Sequence, residues 1–274
     1  MAGTLSLSAV KNLHAAVKAW HLLNRLPWNI DAVQLGKVFD ATRNLAPPAK
    51  DKRPPYSVDS LTKLLAKLDP NDSLDVAVYA CACVLFWALA RTGELTVSAL
   101  RGFDKTSMVT PTQLSKQRDR QGNTVTVITL PKSKSSKGLP EDIICADQNG
   151  PTSAPAALKR QKRVNRPAKD EHLFTHQGPD GFRRPLSRGV FLARMRQAAI
   201  EAGEPILSGH SFRIGGTVEY LLRGVSLETV RTLGRWSSDS FLLYLCKHAQ
   251  VLAPYIQVQP RLSGMLDHVL PPPR

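Results

Sequence analysis

The 274-residue chain is poor in cysteine and has no long apolar run. Its four cysteines include no CxxC pair, which argues against a disulfide framework and a cysteine-ligated metal site. Cys81 and Cys83 lie two apart in a helical run, so they point to different faces. We interpret the cysteines as small apolar residues in a reducing compartment. The N-terminus carries no signal-peptide pattern, and the longest apolar run, Val76 to Ala90, is shorter than the ~20 residues that span a bilayer.

Acidic residues are also scarce relative to basic ones. The chain has 22 Asp and Glu against 37 Lys and Arg, for a formal net charge of +15. A field of that sign attracts a polyanion, and nucleic acid is a commoner partner than an anionic membrane. An apolar fraction of 42% is ordinary for a globular protein and predicts a sizeable core.

The pattern along the chain predicts a mainly α-helical fold with a small antiparallel β-sheet, of the α+β class. Residues 1–45 have room for one helix at 8–26 and a short partner. Residues 46–55 contain four prolines and read as a linker. A main domain at 56–257 and a loosely ordered tail at 258–274 follow.

Capping residues and apolar spacing locate the elements of the main domain. Ser57 and Ser226 are expected to cap helices, each with an acidic residue in the first turn. Gly215 and Gly216 would each cost about 1 kcal/mol inside a helix relative to alanine, which predicts that another backbone packs closely there. The expected helices run from Ser57 to Leu68, Ser73 to Arg91, Leu186 to Ala202, His210 to Arg223, Ser226 to Gly234 and onward from Ser238, and the expected strands are Thr124 to Leu130 and Asp142 to Cys145.

Arginine and histidine in two separated segments are candidates for phosphate chemistry. Arg91 follows the most apolar helix, where an ordinary explanation is that a cation favours a helix C-terminus. His210 and Arg213 are three apart on one helix face, near an N-terminus whose free N–H groups suit a phosphate oxygen. The alternative for that pair is a solvated surface contact.

Two further segments supply a basic hairpin and a tyrosine. Lys132, Lys134 and Lys137 lie between the expected strands, where most lysines are solvated or touch a DNA backbone, although one can also act as a general acid. Trp236 closes one helix and Tyr244 stands eight residues later. The alternative for Tyr244 is a core aromatic, because leucines surround it.

Taken in order, these segments resemble the signature of the tyrosine recombinases, the phage-integrase-like superfamily. The resemblance covers roughly Pro54 to Ala253, and the Gly-Arg-Trp-x-Ser-Asp form is most like eukaryotic mobile-element recombinases of the crypton or DIRS-like groups. The matching motifs are Ala90-Arg91-Thr92-Gly93-Glu94-Leu95, Leu130-Pro131-Lys132-Ser133-Lys134, Leu207-Ser208-Gly209-His210-Ser211-Phe212-Arg213, and Leu233-Gly234-Arg235-Trp236 with Tyr244.

The resemblance implies an enzyme that breaks and rejoins DNA strands through a 3′-phosphotyrosyl intermediate. It implies one role for each matched residue. The implied nucleophile is Tyr244, the ligands of the non-bridging oxygens are Arg91 and Arg213, the group that exchanges the tyrosine proton is His210, the acid for the leaving oxygen is Lys134, an indole donor to the phosphate is Trp236, and a brace for a catalytic side chain is Glu94.

The same resemblance implies the partners and the setting. Double-stranded DNA is the expected partner, bound by a homotetramer on synapsed DNA, with a monomer as the state of the free protein. No metal and no cofactor is expected, because the arginines take the place of a metal, and the expected location is the nucleus. Residues 1–45 correspond to a reduced or truncated form of the family's N-terminal helical DNA-binding domain. The expected DNA contacts are Lys132, Lys137, Lys159, Arg160, Lys162 and Arg163, of which the last four double as a nuclear-import patch.

Three other functions remain open at this point. The first is a recombinase-derived protein that binds DNA without catalysis, and the second is a type IB topoisomerase-like enzyme that relaxes DNA. The third is an unrelated basic interaction module or membrane-surface protein, which would require four coincidental motifs.

Overall fold

The structure is a computed structural model, and it describes residues 3–48, 55–98, 102–118, 120–133 and 138–238. The chain divides into two compact units, residues 1–52 and 53–274. The architecture is mainly helical with a small antiparallel sheet, as the sequence predicts. Of the predicted site residues, Lys134, Lys137 and Tyr244 lie outside the described residues, as do Cys246 and the helix expected after Ser238.

The first unit is a pair of helices, α1 (Leu7–Leu23) and α2 (Ala32–Asn44). The side chains of Ser6 and Asp31 accept hydrogen bonds from the first-turn N–H groups of these helices, which satisfies donors that a helix N-terminus leaves free. The DNA-binding role of this unit stays a prediction.

The second unit is built around α4 (Ser73–Trp87), which is apolar on all sides and buried over most of its length. This is the buried central helix that the sequence predicts. Around it lie α6, α7 and α8, which all pack against α4. The remaining helices of this unit, within the described residues, are α3 (Val58–Leu65), α5 (Thr92–Leu95), α6 (Ala154–Asn165), α7 (Arg188–Ala202), α8 (His210–Leu222) and α9 (Leu227–Gly234).

A three-stranded antiparallel sheet lies between α5 and α6 in the chain. Its strands are β1 (Leu114–Arg118), β2 (Thr124–Leu130) and β3 (Glu141–Ala146), in the order β1-β2-β3. The predicted pairing of the second and third strands is confirmed, with Thr126 opposite Cys145. Two short strands, β4 (His176–Gln177) and β5 (Arg183–Arg184), form a separate hairpin.

The predicted helix starts at Ser57 and Ser226 are confirmed. Their hydroxyl oxygens accept hydrogen bonds from the N–H groups of Ser60 at 3.0 Å and Thr229 at 3.2 Å. Both helices therefore begin where side-chain chemistry replaces the missing backbone acceptors.

The predicted end of the central helix at Arg91 is wrong. The helix α4 ends at Trp87, and Leu89 takes a left-handed backbone conformation with φ of 48° that stops the helix. Arg91 is instead the N-cap residue of α5, with extended backbone. A dipole effect at a helix C-terminus therefore does not explain this arginine.

The predicted close approach at Gly215 and Gly216 is confirmed. A Cβ atom on Gly215 would lie 2.1 Å from the backbone oxygen of Tyr56, and one on Gly216 would lie 1.9 Å from that of Phe86. The backbone of α8 therefore lies directly against the end of α4, which brings the first turn of α8 beside the chain that follows α4.

Two apolar clusters hold these elements together. The larger surrounds α4 and extends to the sheet, α6 and α7. The smaller consists of the buried residues Leu89, Val218, Leu221 and Val230, and it fixes α9 against α8 and the end of α4.

The cysteines and the apolar helix have the properties of core elements. Cys81, Cys83 and Cys145 are buried and form no disulfide, and burial raises the pKa of the Cys145 thiol to about 12. Across the part of the chain that the structure describes, the helices are too short or too polar to cross a membrane.

Candidate functional site

The first part of the site is the turn at Arg91. Its backbone N–H donates to Glu94 Oε2 at 2.8 Å, and its side-chain Nη1 donates to Glu94 Oε1 at 2.7 Å. The side chain of Arg91 is 32% exposed, whereas that of Glu94 is 7% exposed. The carboxylate is therefore buried and fixed, while the guanidinium that it orients remains partly accessible.

The second part is the N-terminal turn of α8. A Cβ atom on Gly209 would meet the side chain of Thr92, so a larger residue there would require that side chain to move, and the start of α8 lies close to the Arg91 turn. His210 and Arg213 occupy this turn, with His210 exposed and Arg213 2% exposed. The helix thus presents one accessible imidazole beside one buried guanidinium.

The third part is the segment that follows α9. Arg213 Nη2 donates a hydrogen bond to the backbone oxygen of Gly234. The Cζ atom of Arg213 lies 4.3 Å from the centre of the Trp236 ring, which is a cation–π distance. The buried arginine of α8 is therefore held between a carbonyl oxygen and an indole face.

Arg235 connects the third part of the site to the first. Its Nη2 donates to Glu94 Oε2 at 2.8 Å, and its Nη1 lies 3.6 Å from Glu141 Oε2 at the start of β3. The side chain is 6% exposed. Segments that are far apart in the sequence thus meet at one carboxylate.

The pKa of Glu94 lies below its ordinary value. Burial by itself would raise this pKa, but the charge of Arg235 and the hydrogen bonds from the Arg91 backbone and both guanidinium groups outweigh it. Glu94 is therefore ionised at neutral pH and acts as an acceptor for both arginines rather than as a proton donor.

The pKa of His210 also lies below its ordinary value. The causes are partial desolvation of the ring, then the positive charges of Arg213 and Arg91. A neutral imidazole has one nitrogen that can accept a proton, so His210 can act as a base at neutral pH.

Together these residues form a basic centre suited to an oxyanion. The guanidinium groups of Arg91 and Arg235 face the two carboxylates of Glu94 and Glu141, and Arg213 adds an excess of one positive charge beside a neutral imidazole. The predicted proximity of Arg91, His210, Arg213 and Trp236 agrees with this geometry. Their catalytic roles stay predictions.

The predicted DNA-binding lysines and arginines that the structure describes lie at two places, just after the end of β2 and on α6. Lys132 is exposed after β2. The pKa of Asp104 is lowered by hydrogen bonds from Thr106 and Ser107 and, to a smaller extent, by the charge of Lys132. The run Lys159–Arg163 lies on α6, which packs against α4 and β3 rather than beside the arginine cluster. Lys159, Lys162 and Arg163 are exposed, whereas Arg160 lies 6.0 Å above the Tyr79 ring.

Arg235 is the residue of this site to which sequence reasoning assigned no role. Its neighbours Gly234 and Trp236 carried the recognisable motif, and an arginine after a helix reads as a solvated cation. The sequence shows only that the motif segments contain more arginines than acidic residues. The pairing of Arg235 with Glu94 is visible only in the three-dimensional structure.

No metal-binding cluster of three or more His, Cys, Asp or Glu side chains occurs among the residues that the structure describes. The polar groups of the site are mostly arginine donors, which cannot coordinate a cation.

No family model and no curated protein sequence matches the chain. Among solved structures, the crystal structure of XerA recombinase matches with a TM-score of 0.51 at 17% identity, over 82% of this chain and 72% of that chain. The fold is that of the tyrosine-recombinase catalytic domain. A Flpe–Holliday junction complex matches with a TM-score of 0.47 at 11% identity, over 81% of this chain and 56% of that chain.

Replacing Glu94 by glutamine should destabilise the protein in a pH-dependent way. At neutral pH we expect the free energy of unfolding to fall by about 3 kcal/mol, because a buried carboxylate between two guanidinium groups is lost. Since the pKa of Glu94 is lower in the folded state, its contribution is present above the ordinary value of 4.5 and is lost as the pH falls through the folded pKa. The difference between variant and wild type should therefore shrink below about pH 4.5 in urea unfolding experiments.

Glu228→Gln is the matched control for this measurement. Glu228 is exposed in the first turn of α9, where a helix-dipole interaction contributes less than about 1 kcal/mol. A gap between Glu94→Gln and wild type that stays constant from neutral to acidic pH would contradict the assignment of the ionised carboxylate.

Proposed function

We propose that the protein is a tyrosine recombinase, a site-specific enzyme that cleaves and rejoins DNA strands through a 3′-phosphotyrosyl intermediate. The observation that carries this proposal is the meeting of Arg91, His210, Arg213 and Trp236 in a fold shared with XerA recombinase. A basic centre that combines two fixed guanidinium groups with a neutral base is what attack on a phosphodiester requires.

The proposed chemistry assigns one step to each group. The hydroxyl oxygen of Tyr244 attacks phosphorus while His210 takes the phenolic proton, and the bond from phosphorus to the 5′ oxygen breaks. Lys134 gives a proton to the leaving 5′ oxygen. Arg91 and Arg213 stabilise the charge that develops on the non-bridging oxygens, with Trp236 as a further donor. Rejoining is the reverse of these steps, with a 5′ hydroxyl as nucleophile.

The ionisation of His210 is consistent with this assignment. An unperturbed tyrosine has a pKa of about 10 and is a weak nucleophile at neutral pH unless a base or neighbouring cations activate it. Because the pKa of His210 is lowered by desolvation and by its cationic neighbours, the imidazole is neutral before the reaction and able to receive the proton.

The proposal includes the partner and the biological setting. Double-stranded DNA is the proposed substrate, with a homotetramer on synapsed sites and a monomer when the protein is free. The Gly-Arg-Trp motif followed by Tyr244 supports an origin in a eukaryotic mobile element of the crypton or DIRS-like type. The basic run on α6 supports a nuclear location and contact with DNA.

A suicide-substrate assay tests the proposal directly. Nicked duplexes cut from the DNA that flanks the gene would release a short fragment on cleavage, so that the covalent complex accumulates. We expect a protein–DNA adduct that survives denaturation and is mapped by peptide mass to a tyrosine. If tight binding occurs but no adduct forms on any flanking sequence, the chain is a DNA-binding protein without catalysis. Relaxation of supercoiled DNA without a defined site would instead identify a topoisomerase.

DNA binding should weaken steeply with salt, because each neutralised phosphate releases counterions. In the double variant Lys159→Gln and Lys162→Gln, two exposed cations of α6 are lost. We expect the slope of log affinity against log salt to become shallower by about two, with a non-cognate duplex as the probe in fluorescence anisotropy.

The control for the salt experiment is the double variant Lys63→Gln and Arg183→Gln. It removes the same formal charge from two cations that already have carboxylate partners, Glu204 and Glu171. This control should leave the slope nearly unchanged. An affinity for DNA that is flat from low to moderate salt would argue against the electrostatic basis of the proposal.

A further inference from the structure

The carboxylate of Glu94 is shared between two arginines from distant parts of the chain. Oε1 accepts from Arg91 Nη1 at 2.7 Å, and Oε2 accepts from Arg235 Nη2 at 2.8 Å and from the Arg91 backbone at 2.8 Å. The two guanidinium groups therefore hold the carboxylate from opposite oxygens, so its rotation would break at least one ion pair.

The position of Arg235 is fixed independently of Glu94. Its backbone is left-handed, with φ of 56°, and it ends α9 through a hydrogen bond from its N–H to Thr232. On its two sides, the Gly234 oxygen accepts from Arg213 and the Trp236 ring lies under the same arginine. The Arg235 side chain therefore extends from a fixed backbone position to the buried carboxylate of Glu94.

The sharing of Glu94 determines how much of the positive charge of Arg91 is cancelled. If Glu94 paired with Arg91 alone, one negative charge would cancel one positive charge at close range. Because Arg235 brings a second positive charge to the carboxylate, Glu94 does not cancel the charge of Arg91 alone. Glu141, 3.6 Å from Arg235, balances the second charge, so the positive charge of Arg213 remains in excess. In a site with little water, a charge of that sign stabilises an anion more strongly than it would in solution.

We propose that Arg235 is a positioning residue for the phosphate site: it holds the Glu94 carboxylate, and through it the guanidinium of Arg91, in the orientation that receives a non-bridging oxygen. This inference rests on the proposed function, in which Arg91 contacts the scissile phosphate. The ion pair also ties the segment after α9 to the start of β3 through Glu141, so one side chain connects the arginine cluster to the hairpin that carries Lys132.

The main test compares Arg235→Met with wild type in single-turnover cleavage of the suicide substrate. We expect the cleavage rate to fall by about 100-fold, since a small displacement of a positioned catalytic group costs a factor of this size. DNA affinity should change by less than about threefold. Arg235→Lys should recover part of the rate, because an ammonium restores the charge but not the two-pronged geometry of the guanidinium.

Arg194→Met is the matched control. Arg194 makes an ion pair with the buried Asp75 at 2.6 Å, outside the arginine cluster. This variant removes an arginine from a buried carboxylate and should destabilise the fold, but the cleavage rate per folded molecule should equal that of wild type. If Arg235→Met also cleaves at the wild-type rate per folded molecule, Arg235 is only structural and the inference is overturned.

A double-variant cycle with Glu94→Gln adds a second criterion. If Arg235 acts through Glu94, the variant with both substitutions should cleave no more slowly than the worse of the two single variants. Rate losses that multiply would mean that the two residues act independently, which would overturn the inference.

The pKa of His210, followed by nuclear magnetic resonance of its ring proton, gives a readout that does not depend on catalysis. In Arg235→Met, one positive charge is lost and Glu94 pairs with Arg91 alone. The electrostatic potential at His210 becomes less positive, so the pKa of His210 should rise. Arg194→Met should leave the pKa of His210 unchanged. If the wild-type chain forms no adduct but the His210 pKa rises in Arg235→Met, the proposed function is contradicted and the positioning geometry is still supported. An unchanged His210 pKa in Arg235→Met would overturn the positioning geometry itself.

Discussion

Replacing Tyr244 by phenylalanine is expected to abolish the covalent adduct with DNA while leaving DNA affinity within about twofold of wild type. The substitution removes only the hydroxyl oxygen that would form the bond to phosphorus. The measurement is denaturing gel electrophoresis of the suicide-substrate reaction beside an anisotropy titration with the same duplex.

The other tyrosines are poor candidates on physical grounds. Burial raises the pKa of Tyr56 to about 12 and that of Tyr79 to about 12, and the pKa of Tyr220 is also raised by burial. The hydroxyl of Tyr79 donates to the Pro151 oxygen, and that of Tyr220 donates to the Trp87 oxygen at 2.8 Å. A partly buried hydroxyl with a raised pKa and an internal hydrogen-bond partner is a poor nucleophile for a DNA phosphate.

Tyr255 is therefore the decisive control. It lies, like Tyr244, outside the described residues, and the sequence makes it the second candidate because it follows the last expected helix. Tyr255→Phe should form the adduct at the wild-type rate. The reverse result, with an adduct from Tyr244→Phe and none from Tyr255→Phe, would show that the nucleophile is Tyr255.

Replacing Gly216 by alanine should strongly destabilise the second unit, although it adds only one methyl group. The new Cβ would lie 1.9 Å from the backbone oxygen of Phe86, and a backbone atom in the middle of a packed core cannot move aside as a side chain can. We expect the free energy of unfolding to fall by about 3 kcal/mol or more, measured by urea denaturation. Adduct formation should fall with it, because α8 carries His210 and Arg213.

Gly189→Ala provides the comparison within the same unit. Gly189 is exposed in the first turn of α7, and a Cβ there meets nothing within 4 Å. The loss of backbone freedom in the unfolded chain should make this variant as stable as wild type or more stable by up to about 1 kcal/mol. Equal stabilities of Gly216→Ala and Gly189→Ala would mean that the backbone of α8 does not lie against α4.

Local rules predicted those parts of the fold where one residue type has a clear physical role. Serine caps predicted two helix starts, β-branched residues predicted the pairing of β2 and β3, and two adjacent glycines predicted that another backbone packs closely against α8. The strand β1 escaped prediction because its sequence, Leu-Ser-Lys-Gln-Arg, has one apolar residue and is paired by backbone hydrogen bonds. The helix α6 escaped because its charged residues read as a basic patch.

The candidate site was predictable as a set of residues but not as a geometry. The motif order led to Arg91, His210, Arg213 and Trp236 from their resemblance to a signature. The turn at Leu89 and the ion pair of Arg235 depend on contacts between residues far apart in the chain, which no local pattern encodes. The same limit explains why Arg91 was expected at the end of a helix and lies at the start of one.

The smaller apolar cluster of α8 and α9 has a consequence for the lifetime of the assembled site. Within the described residues, the cluster that holds α9 has four buried side chains, of which only Val230 is on α9, whereas α4 and its neighbours share a much larger cluster. Segments with few buried apolar contacts open at a lower free energy than the global unfolding transition. An opening of α9 alone would separate Arg235 from Glu94 and Trp236 from Arg213 while the rest of the unit stays folded. The amide protons of α9 should then exchange with solvent sooner than those of α4, and their exchange rate would report the fraction of molecules in which the arginine cluster is assembled.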